Sequence, residues 1–472
     1  MSDPKAYPLE PSADDMRTML EQVTNRVIEH IDSLPAQPAS YDTDGREVAN
    51  SFAETLPEMG TDLHTLLDRI FEEAVPHSFN TAGPGYLAYI PGGGVFPSAV
   101  ADLIANAVNR YVGVWVAAPA LVQIELNVVR WFCEIVGYGK GSGGILTSGG
   151  SLSNLTAIVA ARRERLGDDL AGGVIYTSDQ AHHSVRKSAV LAGFPESAVR
   201  QIETNERQEI RIDHLRAAIA EDRAAGRVPF LIVGSAGTTN TGAVDDLNGL
   251  ADLAEQHQLW LHVDGAYGGF FAMTERGRSA MAGLERADSL TLDPHKGLFL
   301  PYGTGALLVR DESALRRAHE TFADYMPVMQ HDPDFVDFCD LSAELSRDFR
   351  GLRIWLPVKL FGIDAFRASL DEKLDLARWV TARIREVPEL EIVTEPRLSL
   401  VSFRIRGDVG DDATRALLSA INARQNVYMT GTMVDRRFAI RICVLSFRTH
   451  MDRMQLCIDD IRAALSEVVR GH

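Results

Sequence analysis

Lys296 stands in the stretch SLTLDPHKGLFLPYGTGALLVRD (289–311), beside His295 and just past an apolar, strand-like run. A lysine in an apolar setting, with its pKa lowered toward the free amine, is suited to Schiff-base chemistry. Asp264 closes a second apolar run, LWLHVDGA (259–266), 32 residues earlier. A carboxylate there is costly unless a cationic group pairs with it. In YTSDQAHHSVRKSA, His182 and His183 fall between a strand end and a helix. Adjacent histidines diverge, so both do not easily face one pocket. No carboxylate or histidine lies at helical spacing from them, and no metal site is expected. In ILTSGGSLSN, the turn Ser148-Gly149-Gly150-Ser151 opens a helix. Its backbone N–H groups and helix N-terminus suit a phosphate; the simpler alternative is an ordinary turn with Ser151 or Ser153 as N-cap. SAGTTNTGAVDDL is a polar strand exit, with Asp245 as a candidate cap for the next helix.

Taken singly, each of these segments is weak. Together they ask for an amine that bonds an aldehyde, a carboxylate for a pyridinium nitrogen, an imidazole against a flat ring and a cradle for phosphate. That combination describes pyridoxal 5'-phosphate.

The motifs GYLAYIP, WVAAPALVQIE, TSGGSLSN, SDQAH, GTTNTGAVD, HVDGAYGG, ADSLTLDPHKGL and ELSRDFRGLRIW follow one another between about residues 60 and 450. In this order they closely resemble the group II pyridoxal-phosphate-dependent amino-acid decarboxylases. The resemblance implies that Lys296 carries the Schiff base, Asp264 pairs with the ring nitrogen, and His182 stacks on the ring and takes part in proton transfer. It also implies that Thr239 hydrogen-bonds near the ring, Ala266 lies under it, Gly150 and Ser151 hold the phosphate, and His295 sits beside it. It further implies a fold-type I α/β enzyme: a homodimer with interface active sites and a swapped N-terminal helical arm.

Within this resemblance several positions bear on substrate and product. Tyr89 and Pro91 match a segment that lines the substrate pocket in aromatic-specific members, and Gly92, Gly93, Gly94 and Gly113 would leave room for a bulky side chain. An aromatic amino acid is therefore the expected substrate, with glutamate or another small acidic amino acid second. Arg441 and Arg448 are the candidate cations for a side-chain carboxylate. Counting back from Arg350, Phe338 falls where the family's mobile loop carries a proton-donating tyrosine. Phenylalanine has no proton to give, so decarboxylation with oxidative deamination to an aldehyde is the alternative to the simple amine product. Tyr325 is a second candidate for the tyrosine role. Asp293 replaces a frequent asparagine; a carboxylate beside a phosphate is unfavourable unless it points away.

These residues need a scaffold, and the hydropathy pattern supplies one. Strand-like runs at 144–148, 172–178, 228–237, 259–266, 289–293 and 305–310 alternate with helical patterns, as in a mostly parallel sheet wound in α/β style. The last two runs are joined without a helix, which implies one reversed strand. With the family resemblance, the expectation is a seven-stranded sheet flanked by helices. The expected division is a helical arm (1–80), a large cofactor-binding domain (81–364) and a small α+β C-terminal domain (365–472) with helices at 369–386 and 411–425 and strands near 398–406 and 438–447. Of 472 residues, 46% are hydrophobic and 24% charged, and the net charge is −18. Such acidity disfavours nucleic acid and anionic membrane as partners. Cys133, Cys339, Cys443 and Cys457 are widely spaced and fit a reducing, cytoplasmic setting.

Overall fold

The computed structural model describes residues 7, 9–41, 44–319, 335–407 and 410–471. Its centre is a seven-stranded sheet built from β1 (Gly143–Thr147), β2 (Gly173–Ser178), β3 (Val199–Ile202), β4 (Val228–Ser235), β5 (Trp260–Asp264), β6 (Ser289–Leu292) and β7 (Gly305–Val309). The spatial order is β1-β7-β6-β5-β4-β2-β3. β7 runs antiparallel to both neighbours, and the remaining pairs are parallel. The reversed strand follows from the short β6–β7 connection, which leaves no room for a crossover helix.

Strands β1, β2, β6 and β7 are buried at every position, because helices cover both faces. The edge strand β3 escapes the hydropathy reading: its sequence VRQI has one buried residue, Ile202. Short, polar edges are how open sheets avoid pairing with other chains.

A second, antiparallel sheet has the order β10-β11-β9-β8, from β8 (Leu390–Thr394), β9 (Leu400–Ile405), β10 (Thr430–Val434) and β11 (Arg437–Cys443). The sequence pattern anticipates β9 and β11, which are buried along most of their length; β8 and β10 are mostly half-exposed and carry little apolar signal. Helices Ile363–Arg385, Gly410–Asn422 and Met451–Gly471 accompany this sheet. The first starts earlier than expected, at a left-handed Gly362 (φ 72°), and the last has no counterpart in the hydropathy reading.

The N-terminal helix Ala13–Ser33 opens with a Ser12–Asp15 capping box and buries no residue in this chain. Its Met16, Met19, Leu20 and Ile28 are exposed. Among the described residues no helix is long and apolar enough to cross a membrane.

Candidate active site

The carboxyl ends of the parallel strands meet in a cavity of about 290 Å³. Ligands bind at such strand ends because the loops there are free to present side chains and backbone groups. All eight residues expected around the cofactor line this one cavity: Gly150, Ser151, His182, Thr239, Asp264, Ala266, His295 and Lys296. They come from five separate loops, brought together by the order of the sheet.

The phosphate-like end is the N-terminus of helix Gly150–Arg165, with Gly149 as N-cap residue. Ser151 and Ser153 do not cap it; the Ser153 hydroxyl pairs instead with Thr147 Oγ1 at 2.8 Å. The first-turn N–H groups of Gly150 and Ser151 have no intrahelical acceptor. A Cβ on Gly150 would lie 3.1 Å from Asp293 Oδ2 and 3.2 Å from the Ala266 methyl. His295 donates from Nδ1 to the Thr304 carbonyl (2.6 Å), and burial lowers its pKa.

Lys296 lies in the short helix Pro294–Gly297 that leaves β6. Its Nζ is 2.8 Å from Asp293 Oδ2, and that carboxylate is 2% exposed. Asp293 therefore points at the lysine. Burial opposes the Lys296 ammonium, but the charge and hydrogen bond of Asp293, with Asp264 beyond, outweigh it and the net direction is upward. This reverses the expectation of a lowered lysine, since the sequence does not reveal the ion pair. Asp293 Oδ1 is buried without a hydrogen-bond partner.

Asp264 ends β5. Its Oδ1 accepts the Ala266 N–H (3.1 Å) and its Oδ2 accepts from Asn154 Nδ2 (2.9 Å). His182 faces the cavity, with Nδ1 2.7 Å from the Ser184 hydroxyl, and burial lowers its pKa. His183 is exposed, its ring centroid 4.1 Å from that of His182. Thr239 sits on a loop fastened from behind by Arg441, whose guanidinium donates to the carbonyls of Thr239 and Asn240.

The residues expected in the substrate pocket behave differently. None of Tyr89, Pro91 and Phe338 is among the described residues lining the cavity. Phe338 is fully buried in an apolar cluster with Val112, Val336 and Leu341, and the Arg347 guanidinium lies 4.7 Å over its ring. It is a core residue, because Val336, Phe338 and Leu341 pack in one cluster with Val122 and Leu126 of helix Pro119–Val136. Tyr325 lies outside the described residues. Tyr89 is 57% exposed in a left-handed conformation (φ 50°), and Pro91 is buried.

Nor does Gly92 open space for a substrate. A Cβ on Gly92 would sit 2.0 Å from the His295 carbonyl oxygen, so Gly92 serves close backbone approach to the lysine turn. Arg441 also donates to Thr430 Oγ1 and the Tyr89 carbonyl, and Arg448 to the carbonyls of Ala82 and Gly93. Both arginines are occupied with backbone oxygens and are not placed as carboxylate receptors. Asp246, not Asp245, caps helix Leu247–His257; Asp245 is buried, accepts from Ile210 and Ser235 N–H, and is pushed up to about 6 by burial.

The donor set fits pyridoxal phosphate on structural grounds. An amine, a carboxylate, an imidazole and a helix N-terminus face one cavity.

Residues 47–406 match the pyridoxal-dependent decarboxylase conserved domain. The chain is 35% identical to an aromatic-L-amino-acid decarboxylase of Bacillus atrophaeus over 467 residues, covering 98% of this chain and 97% of that protein. It superposes on a crystal structure of Oryza sativa TDC with PLP and tryptamine with a TM-score of 0.92 at 26% identity, covering 98% and 99% of the two chains. For Catharanthus roseus tryptophan decarboxylase in complex with L-tryptophan the TM-score is 0.90 at 27% identity, covering 97% and 99%. With cavity, sheet order and sequence in agreement along nearly its whole length, the chain belongs to the pyridoxal-dependent decarboxylase family.

Proposed function

We propose that this enzyme removes the carboxylate of an aromatic L-amino acid as carbon dioxide and releases the amine. The observation that carries the reading is the convergence of Lys296, Asp264, His182 and the Gly150–Ser151 turn on one cavity. Bound there, pyridoxal phosphate supplies a ring that accepts the electron pair left when carbon dioxide departs.

The chain's own residues do the rest. Lys296 provides the amine that holds the cofactor and yields to the substrate amine. Asp264 would pair with the ring nitrogen and favour its protonated form. His182 would pack against the ring face and could handle a proton near the reacting carbon. Gly150 and Ser151 offer backbone N–H groups to the phosphate, favoured by the helix N-terminus. Ala266 leaves space for the ring, and Thr239 offers a hydroxyl at its rim.

Aromatic substrates are supported by the named relatives and by the occupied guanidinium groups of Arg441 and Arg448. Purified enzyme loaded with pyridoxal phosphate should release carbon dioxide and amine from tryptophan, tyrosine, phenylalanine or dopa. Faster release from glutamate would overturn the substrate class. Aldehyde with stoichiometric peroxide and no amine would overturn the product.

The assembly is read as a homodimer with shared active sites, supported by the exposed apolar side chains of helix Ala13–Ser33. Sedimentation at the mass of one chain would contradict it. The four free cysteines support a cytoplasmic setting.

A further inference from the structure

A buried chain of hydrogen-bonded polar side chains runs behind Asp264. Trp260, His262 and Asp264 alternate along β5 and share one face of the sheet. The β5–β6 register sets His262 opposite Ser289 and Asp264 opposite Thr291. Asn154, one turn into helix Gly150–Arg165, reaches down onto this face and is 1% exposed.

The amide of Asn154 is fully used. Its Nδ2 lies 2.9 Å from Asp264 Oδ2 and 2.9 Å from Ser184 Oγ. Its Oδ1 lies 2.7 Å from Thr291 Oγ1 and 3.0 Å from His262 Nε2. His262 Nδ1 is 2.8 Å from Ser289 Oγ, which accepts the Trp260 indole N–H at 2.8 Å.

Both ends of the chain fix its direction. A carboxylate accepts and cannot donate, so Asn154 turns its NH₂ to Asp264 and its carbonyl to His262. His262 Nε2 must then donate, and the neutral ring accepts at Nδ1 from Ser289. At the far end an indole N–H donates and cannot accept, which gives Ser289 the same orientation. Every hydrogen therefore points from Trp260 toward Asp264. On the side branch, Asn154 donates to Ser184, whose own hydroxyl hydrogen goes to His182 Nδ1 (2.7 Å). His182 is thereby held as the tautomer with its proton on Nε2.

We infer that Asn154 is the positioning residue of the active site, fixing through one amide both the Asp264 carboxylate and, by way of Ser184, the tautomer of His182. This inference rests on the proposed pairing of Asp264 with the cofactor ring nitrogen. Asn154 borders the cavity, but its amide is spent on Asp264, Ser184, Thr291 and His262, so it acts through Asp264 and His182.

The test compares loaded enzymes carrying Asn154→Ala, the isosteric Asn154→Asp, Ser184→Ala and Asp264→Asn. Cofactor absorbance is followed against pH, and kcat and KM are measured. Asn154→Ala loses the donor to Asp264, and Asn154→Asp sets two carboxylates in contact. Both make Asp264 the stronger base, so both should move the pH midpoint of the absorbance change opposite to Asp264→Asn, by about one unit, a ten-fold change in proton affinity. Both should lower kcat about ten-fold or more while KM changes less. Ser184→Ala should lower kcat with the midpoint unmoved, because it cuts the branch to His182 alone. A wild-type midpoint and kcat in folded Asn154→Asp, with Asp264→Asn shifted, would overturn the inference and leave the reading of Asp264 standing. If Asp264→Asn also left both unchanged, the reading of Asp264 itself would fall.

Discussion

Lys296 Nζ and Asp293 Oδ2 are 2.8 Å apart within a single turn, at the mouth of a cavity otherwise built to receive an anion. The carboxylate holds the lysine as an ammonium, and an ammonium does not attack an aldehyde. Removing the charge while keeping the shape should free the amine. Asp293→Asn is therefore expected to speed covalent capture of pyridoxal phosphate by the cofactor-free enzyme near neutral pH. The gain is about ten-fold for each unit by which the lysine falls. Stopped-flow absorbance across pH gives the rate. A profile identical to wild type would show that the ion pair does not govern the amine.

Lys296 should be the sole covalent anchor. After borohydride reduction, wild-type protein is expected to gain the mass of one cofactor per chain, and Lys296→Ala none, with turnover lost. A retained adduct in Lys296→Ala would move the anchor elsewhere.

Stability should fall on mild acidification because of His262. Burial lowers its pKa to about 4 from the usual 6.5. Between those values the unfolded chain takes up a proton that the native chain refuses. The contribution is fully present above about 6.5 and is lost as pH falls toward about 4. From about pH 7 to about pH 5 the loss from this group is on the order of 1–2 kcal/mol. Denaturant titrations at the two pH values, in wild type and His262→Gln, measure it; an equal loss in the variant would assign the effect to other groups.

Arg347 and Glu125 form an ion pair at 2.6 Å with both side chains fully buried, and Glu125 also accepts the Gly351 N–H. Arg347 in turn donates to the Leu146 carbonyl at the end of β1, just before the phosphate-like turn. Arg347→Met strands Glu125 without its cation and should cost about 3–5 kcal/mol. Replacing both partners with apolar residues should cost much less, since no charge is left buried alone. Urea unfolding of the single and double variants distinguishes these outcomes, and a nearly silent single variant would mean that water reaches Glu125.

The sequence by itself determined the chemistry at the strand ends. Lys296, Asp264, His182 and the Gly149–Gly150 turn each follow an apolar, strand-like run, and a charged group buried there has a cost that a ligand or partner offsets. The order of apolar runs also determined most of the sheet, including the reversed β7. Long-range pairing was decided by tertiary structure alone. LWLHVDGA reads as an apolar run, although His262 and Asp264 stand at alternate positions in it, and nothing marks Asn154 for a role. That alternation was the available signal for the buried chain, but the partners lie on β6 and two helices, at separations that no local pattern encodes. The same holds for the Asp293–Lys296 pair, whose net effect depends on how deeply both are buried. It holds equally for Gly92, which reads as open space until the His295 carbonyl is seen against it. Phe338 was placed by counting along a loop, where spacing carries little information. Its ring went to the core because a buried phenyl with Arg347 across its face is more stable than one exposed at the rim of a polar cavity.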